Sequence, residues 1–399
     1  MANLAELKGL KVYFYDQRDR RFIRAVEDME FEVEEGSIMG LVGESGCGKT
    51  ITARALMGLI DSYPGLIGGK FYFRPRPEDT LELVRNIRRG VSREKTHSRD
   101  VQYGSGSQKK PYKKDGMFDL FYGIEEFVTF KKKPFTIIKD TEKWLRRMDR
   151  IMENIRGKNI AIVFQNPGLS LNPYIPVGLQ FEKTLRRFNP GLKREEIRSR
   201  MLELFNSVKL YPGEKIIGMY PPSLSVGMAQ RVVIAIAISS SPKLLIADEP
   251  TTGLDTSNRI RIIDLLLSLV NEKALTMIFI SHNIGLVGSV ADSITVMYAG
   301  YAVERGSNSV VIMSKKGPNH PYTEALLEVI PEESEIIAGR RLKVIEGNVP
   351  GNKIEIKGCP FMPRCRYAKG KLAKLCENEK PELYEVEPEH FIRCFLFRE

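Results

Sequence analysis

Three short apolar runs along the chain each break off at a polar cluster. Ile38, Met39, Leu41 and Val42 form the first, Lys243 to Ala247 the second, and the stretch ALTMIFIS, closing at Ser281, the third. Runs of this length, bounded by turn signals and interleaved with helical patterns, predict strands buried on both faces of a mainly parallel sheet, an α/β fold. Near the N-terminus the period is two instead: in LKVYFYD, Leu10, Val12 and Phe14 face one way, Tyr13 and Tyr15 the other. Between the first two runs, FDLFYGIEEFVTFKKKPFTII mixes aromatic and β-branched residues and predicts a hairpin. After it, DTEKWLRRMDRIMENIRG reads as a helix capped by Asp140 or Thr141 and carrying Trp144. The preceding YGSGSQKKPYKKDG predicts a mobile loop. No run of about 18 apolar residues exists, so no bilayer-spanning helix is predicted.

The polar clusters hold the candidate chemistry. Gly43, Glu44, Ser45, Gly46, Cys47, Gly48, Lys49 and Thr50 match GxxxxGK[ST], with a strand before and a helix after. Glycines let successive N–H groups curl around a β-phosphate, and the helix N-terminus adds its positive end. Lys49 would reach the β- and γ-phosphates, the Thr50 hydroxyl would ligate Mg²⁺, and Cys47 serves as filler. Such a site needs a metal-holding carboxylate on a neighbouring strand end, and the second run ends in Asp248 and Glu249. Asp248 would help hold Mg²⁺, largely through water, and Glu249 would act as general base. His282 follows the third run, at the strand ends where open parallel sheets collect ligands.

Ahead of the second run, YPPSLSVGMAQRVVIAIAI sets Leu224, Ser225, Val226, Gly227, Met228 and Gln230 before a helix. This resembles the signature of the ATP-binding cassette (ABC) ATPases. With Gln165 in IAIVFQNPGLSLNP, Asp255 in TTGLD, and His282, the motifs stand in that family's order from Leu4 to about Ala302. VGESGCGKT, MYAGYAVERG, NHPYTEALL and GNVPGN followed by GCPFMPRC look like the ATPase subunit of oligopeptide and dipeptide importers, a group that also includes oligosaccharide importers.

The resemblance implies a phosphate-loop NTPase with an antiparallel β subdomain, a helical signature subdomain and a small cysteine-rich C-terminal extension. Residues 1–305 would form the nucleotide-binding domain, with a basic insertion at about 75–150, and 306–399 the extension. It implies ATP and Mg²⁺, with Lys49, Gln165, Glu249 and His282 catalytic, and with Thr50, Gln165 and Asp248 around the metal. Ser225 and Gly227 would complete the γ-phosphate site of a partner cassette, Asp255 would be the D-loop residue among those binding the nucleotide, and Phe14 or Tyr15 would stack on adenine. The implied partners are a second, different cassette, two permease subunits and, indirectly, an external solute-binding protein, on the cytoplasmic face of the membrane.

Two substitutions depart from the family pattern. Val226 replaces the first signature glycine, which matters if that position needs positive φ but not if it enters a helix. From it we expect a heterodimer with unequal sites. Asn283 replaces an Asp after His282, a change expected to do little.

Charge alters the picture at one place. Of the formal +11, residues 74–150 carry +8, from 20 Lys and Arg against 12 Asp and Glu. A basic block admits a rival reading, a soluble ABC ATPase acting on nucleic acid; the importer-like tail argues against it, and no nucleic acid is expected. The N-terminus lacks a secretory pattern, which predicts a reducing compartment with few disulfides.

Four of the five cysteines, Cys359, Cys365, Cys376 and Cys394, lie in the last stretch, with five, ten and seventeen residues between them. A Cys₄ set suits tetrahedral Zn²⁺ or an iron–sulfur cluster, and the resemblance ranks a [4Fe-4S] cluster first and Zn²⁺ second. The cluster would fold a tail too poor in apolar residues to build much core. His390 is a possible substitute ligand, expected at the surface.

Overall fold

The computed structural model describes residues 2–398 apart from 17, 20, 61–64, 90–110, 114, 133–134, 315–316, 331–343 and 353–355. Its centre is a run of parallel strands in the order β11 (Ser293–Tyr298), β3 (Ile38–Val42), β10 (Thr276–Ser281), β9 (Leu244–Asp248) and β8 (Ile160–Val163). The three apolar runs of the sequence are β3, β9 and β10. Their side chains alternate between two cores: Leu245, Ala247, Met277 and Phe279 lie in one, Leu244, Ile246, Ile278 and Ile280 in the other. Burial on both faces is why these strands read as unbroken apolar runs.

A mainly antiparallel layer continues the sheet through β12 (Tyr301–Ser307), β2 (Arg21–Glu34), β1 (Asn3–Asp16), β4 (Leu66–Phe73) and the short β5 (Phe118–Asp119), with a parallel joint at Tyr301–Asp28 between β12 and β2. On the other side of the central strands, helices Val177–Phe188, Arg194–Ser207 and Val226–Ala237 pack around Phe181, Phe205 and Val232. These are the α/β core, the antiparallel layer and the helical signature region that the sequence predicts.

The basic insertion is built into the fold at its two ends. Helix Pro77–Arg88 buries Leu83 and Ile87, and helix Thr141–Met152 buries Trp144, Met148, Ile151 and Met152, in the same core as Phe31 and Leu41. Arg147 binds the two helices together, donating to the carbonyls of Asn86 (2.9 Å), Ile87 (2.7 Å), Arg89 (2.8 Å) and Tyr122 (3.0 Å). The guanidinium thereby satisfies carbonyls that the helix end leaves orphaned. The expected hairpin is present as β6 (Val128–Lys132) and β7 (Phe135–Lys139). Asp140, of the two candidate caps, does the capping, accepting from the Lys143 N–H. Most of the expected mobile loop, 103–110 and 114, lies outside the described residues.

The C-terminal segment departs from expectation. It is joined to the main sheet: β14 (His390–Ile392) pairs with β12 and with β13 (Tyr384–Glu387). Phe361, Ile392 and Phe395 are buried. His390 is wholly buried rather than at the surface, its Nε2 2.9 Å from Glu304 Oε1. The Glu304 carboxylate also accepts from Asn319 Nδ2 at 2.9 Å and from the His320 N–H at 2.8 Å. A strand pairing and a buried polar network therefore tie the tail to the body without recourse to the thiols. The sequence reading missed this because the partners are far apart along the chain.

Candidate functional site

The carboxyl ends of β3, β9 and β10 meet where the parallel sheet opens, and the functional side chains leave from those ends. After β3 the chain turns through 43–48 into helix Lys49–Leu56. Two glycines are demanded by space: a Cβ on Gly43 would stand 2.1 Å from the Met297 carbonyl oxygen, and one on Gly48, at φ 113°, 2.5 Å from that of Ala25. Lys49 Nζ spans the loop from inside, donating to the Gly43 carbonyl at 2.7 Å and the Glu44 carbonyl at 3.0 Å. Cys47 is buried behind it, and burial pushes its thiol up, away from nucleophile chemistry.

Thr50 Oγ1 donates to Asp248 Oδ1 at 3.2 Å, so the two expected metal ligands adjoin. The other oxygen, Asp248 Oδ2, is buried with no hydrogen-bond partner among the described residues. A buried carboxylate oxygen left unpaired is costly and fits a cation-binding role. Burial pushes the Asp248 carboxyl up, partly offset by the Thr50 hydroxyl; a divalent cation would favour the charged form.

Glu249 holds a left-handed backbone, φ 46°, fixed by its N–H donating to the Ile280 carbonyl at 2.9 Å across to β10. That conformation is uncommon for a residue with a side chain and concentrates at functional sites. Three side chains meet its carboxylate: Gln165 Nε2 donates to Oε2 at 3.3 Å, Thr252 Oγ1 to Oε2 at 2.8 Å, and His282 Nδ1 lies 3.1 Å from Oε1. Burial alone would raise the Glu249 carboxyl; the bonds from His282 and Thr252 and the charges of His282 and Lys49 outweigh it, leaving the group below the ordinary glutamate range. It is therefore an ionised base with an oriented carboxylate, suited to taking a proton from an attacking water. Residues from three separate stretches, Gln165, Asp248–Thr252 and His282, thus converge on one point beside the loop.

The signature residues stand apart. Ser225 caps helix Val226–Ala237, its Oγ accepting from the Met228 N–H at 3.3 Å. Val226 is the first helical residue, so the position needs no positive φ and the conformational objection to valine disappears. A Cβ on Gly227 would meet nothing nearer than Asn258 at 3.7 Å, and Asp255 Oδ1 accepts the Asn258 N–H at 3.0 Å as the cap of helix Thr256–Lys273. No hydrogen bond among the described residues joins Ser225, Gly227 or Asp255 to residues 43–50. Asn283 caps its own helix through the Leu286 N–H at 2.9 Å, a task Asn performs as well as Asp. Phe14 packs on the core, while the Tyr15 ring meets Phe22 edge-on at 5.3 Å.

Two groups at the loop escaped the sequence reading. The Tyr322 hydroxyl accepts the Glu44 N–H at 2.9 Å, and Arg364 forms a two-pronged ion pair with the Glu44 carboxylate, at 2.7 and 3.1 Å. Both come from the C-terminal part of the chain, inside the stretches NHPYTEALL and GCPFMPRC, in which the sequence reading gave neither residue a role.

In the tail, the Cys359 N–H donates to the Cys376 carbonyl at 2.7 Å, and a Cβ on Gly358 would lie 2.0 Å from that same oxygen. Burial pushes the thiols up, Cys359 to about 11 and Cys394 to about 12, with Cys365 and Cys376 shifted the same way. The proximity of the other three thiols pushes Cys394 further in that direction. Among the described residues no group of three or more His, Cys, Asp or Glu side chains is arranged to hold a metal ion.

A phosphate loop with a metal-binding strand end and an ionised base defines a phosphate-loop nucleotide hydrolase. The profile of the ABC transporter family matches residues 26–110 and 124–252, and that of the oligopeptide/dipeptide transporter C-terminal region matches 303–371. The chain is 33% identical over 401 residues to the oligopeptide transport ATP-binding protein AppD of Bacillus subtilis, spanning 100% of this chain and 98% of that protein. It is 32% identical over 383 residues to the dipeptide transport ATP-binding protein DppD of Haemophilus influenzae, spanning 96% and 92%. Its fold is similar to that of a dimeric bacterial ABC transporter cassette, with a TM-score of 0.50 at 19% identity over 76% of this chain and 98% of the other. The chain belongs to the ABC transporter family, as an ATP-hydrolysing subunit with the oligopeptide/dipeptide-type C-terminal region.

Proposed function

We propose that this ATPase subunit drives peptide import, with residues 1–305 as the cassette and 306–399 as its extension. The observation that carries the catalytic part is the meeting of Gln165, Thr252 and His282 on Glu249, beside the Thr50–Asp248 pair. The relatives named for dipeptide and oligopeptide transport support the solute class. Bound Mg²⁺ supplies charge neutralisation on the phosphates. Lys49 and the loop amides hold the triphosphate, and Phe14 or Tyr15 stacks on its base. Glu249 takes the proton of a water that attacks the γ-phosphorus, as the bond to the bridging oxygen of ADP breaks. His282 orients Glu249 and donates toward the γ-phosphate, and Gln165 senses that group.

Ser225 is exposed and Gly227 half-buried at a helix tip, with no hydrogen bond to their own loop among the described residues, as a site completed between two cassettes requires. Val226 is 51% exposed at that tip, and its bulk would crowd a partner's phosphate; the partner is accordingly a different cassette, and the site sealed by Val226 is the weaker. Val226→Gly should raise turnover of the assembled complex; unchanged turnover would count against unequal sites.

Two permease subunits dock next to Gln165. There Leu169 is 86% exposed and Tyr174 87%, beside a cavity of about 430 Å³ lined by Tyr174, Ile175, Pro176 and Leu179. By its kinship with transport ATP-binding proteins, this subunit works from the membrane's cytoplasmic face, with an external binding protein delivering the solute; among the described residues no helix is long and apolar enough to cross a membrane. We also propose that the four tail thiols take a [4Fe-4S] cluster, with Zn²⁺ second. The donor set is soft and all-thiol, and its raised thiols would release protons on binding. The absorbance of anaerobically purified protein separates the two. Co-purification with two polytopic permeases and ATPase stimulated by a peptide-loaded binding protein test the function. Salt-sensitive stimulation by DNA or RNA would contradict it.

A further inference from the structure

The phosphate loop carries an acidic side chain, Glu44, at a place meant for a polyanion. A carboxylate beside bound phosphates repels them unless its charge is neutralised. The structure supplies the neutralising group from the other end of the chain. Arg364 donates to both oxygens of Glu44, in the fork geometry that suits guanidinium to carboxylate. The Arg364 side chain is 3% exposed, and its remaining donors are taken up by the Tyr298 hydroxyl (3.3 Å) and the carbonyls of Ile345 (3.2 Å) and Glu346 (2.9 Å). A second contact lies alongside: the Tyr322 hydroxyl takes the Glu44 N–H, and its ring stacks in a cluster with Tyr298 (4.5 Å between centroids) and Phe361 (5.4 Å). Phe361 and Arg364 lie on the segment between Cys359 and Cys365. That segment therefore holds the loop's Glu44 side chain directly through Arg364, and through Phe361 packs against the Tyr322 that takes the Glu44 N–H.

We propose that Arg364 is a positioning residue of the nucleotide site: it neutralises the Glu44 carboxylate and holds it off the phosphates, so that nucleotide affinity depends on a docked C-terminal tail. The inference rests on residues 43–50 being the triphosphate site. It assigns Arg364 no contact with nucleotide; its effect passes through Glu44.

Equilibrium binding of Mg-ATP to the full chain, with KM and kcat measured on the same preparations, tests it. Arg364→Gln leaves Glu44 uncompensated and is expected to weaken Mg-ATP binding about tenfold, with KM rising in step and kcat changing little. Glu44→Gln removes the charge at its source, so adding it to Arg364→Gln should recover most of the lost affinity. Arg364→Lys, a point charge without the fork, should fall between. A tail residue that mattered only for folding would give a double variant as weak as Arg364→Gln, and that result would overturn the proposal. So would an Arg364→Gln chain that binds Mg-ATP as tightly as the unaltered one. Should Arg364→Gln not fold, Arg364→Lys takes its place, and a Glu44→Gln substitution that recovers none of the loss in that background would overturn the proposal equally. An unaltered chain that fails to bind Mg-ATP would overturn the assignment of residues 43–50, and the proposal with it.

Discussion

The nucleotide site and the C-terminal tail are held by opposite means. At the site, each functional side chain is placed by its own stretch: a turn too tight for a Cβ at Gly43, a strand end at Asp248, a left-handed residue at Glu249, a strand end before His282. The parallel sheet brings these ends together through backbone pairing alone. The tail pairs a strand with the body, β14 on β12, and beyond it depends on side chains reaching across the sequence, Arg364 to Glu44 over 320 positions and His390 to Glu304 over 86. Where backbone geometry does the placing, a motif is readable from a dozen residues. Where one buried ion pair does it, neither partner announces the other.

The sharpest way to break the comparison is at the metal-binding strand end. Asp248→Ala should leave the fold intact yet lower Mg²⁺-supported turnover by about a thousandfold, as expected when several kcal/mol of charge stabilisation is lost. A Mg²⁺ titration of ATPase rate checks it. At the tail the largest loss should be in stability. His390→Ala leaves Glu304 buried with only Asn319 and the His320 N–H. It should cost about 3 kcal/mol, the lower end for breaking a buried pair, read as a lowered denaturation midpoint with the Mg-ATP affinity of the folded fraction little altered. Equal loss at an exposed pair such as Arg186–Glu182 would erase the distinction between the regions.

A subtler test is the pH profile. Glu249 lies below the ordinary glutamate range, so turnover should hold as pH falls through that range and decline only below it. His282→Ala removes the main group opposing burial. The Glu249 carboxyl then rises, and the acid limb of the profile moves to higher pH. An unmoved limb would mean that His282 does not sustain the Glu249 charge.

Much of the site was legible in the sequence, because strand, loop and helix follow one another locally. The apolar runs became β3, β9 and β10, and the candidates singled out lie in reach of one another, Thr50 with Asp248, and Gln165 and His282 with Glu249. Thr252 was within sight, three residues beyond Glu249, but hydroxyls in turns are common. The insertion's Arg147, closing helix Pro77–Arg88 by three carbonyl bonds and reaching the Tyr122 carbonyl with a fourth, looks in sequence like one more surface arginine. His390 was misplaced for a related reason: a histidine among charged residues reads as solvated until a distant glutamate is found buried beside it. The choice between Phe14 and Tyr15 is not settled by alternation, since opposite faces of an edge region both remain half-buried.

Single-turnover hydrolysis by Glu249→Gln in the assembled complex tests the central claim most directly. The substitution keeps the shape and the hydrogen bonds with Thr252 and His282 while removing the base. The variant should bind Mg-ATP as tightly as the unaltered protein and hydrolyse it at least about a hundredfold more slowly. Hydrolysis at the unaltered rate would show that Glu249 is not the base, and that the cluster around it serves something else.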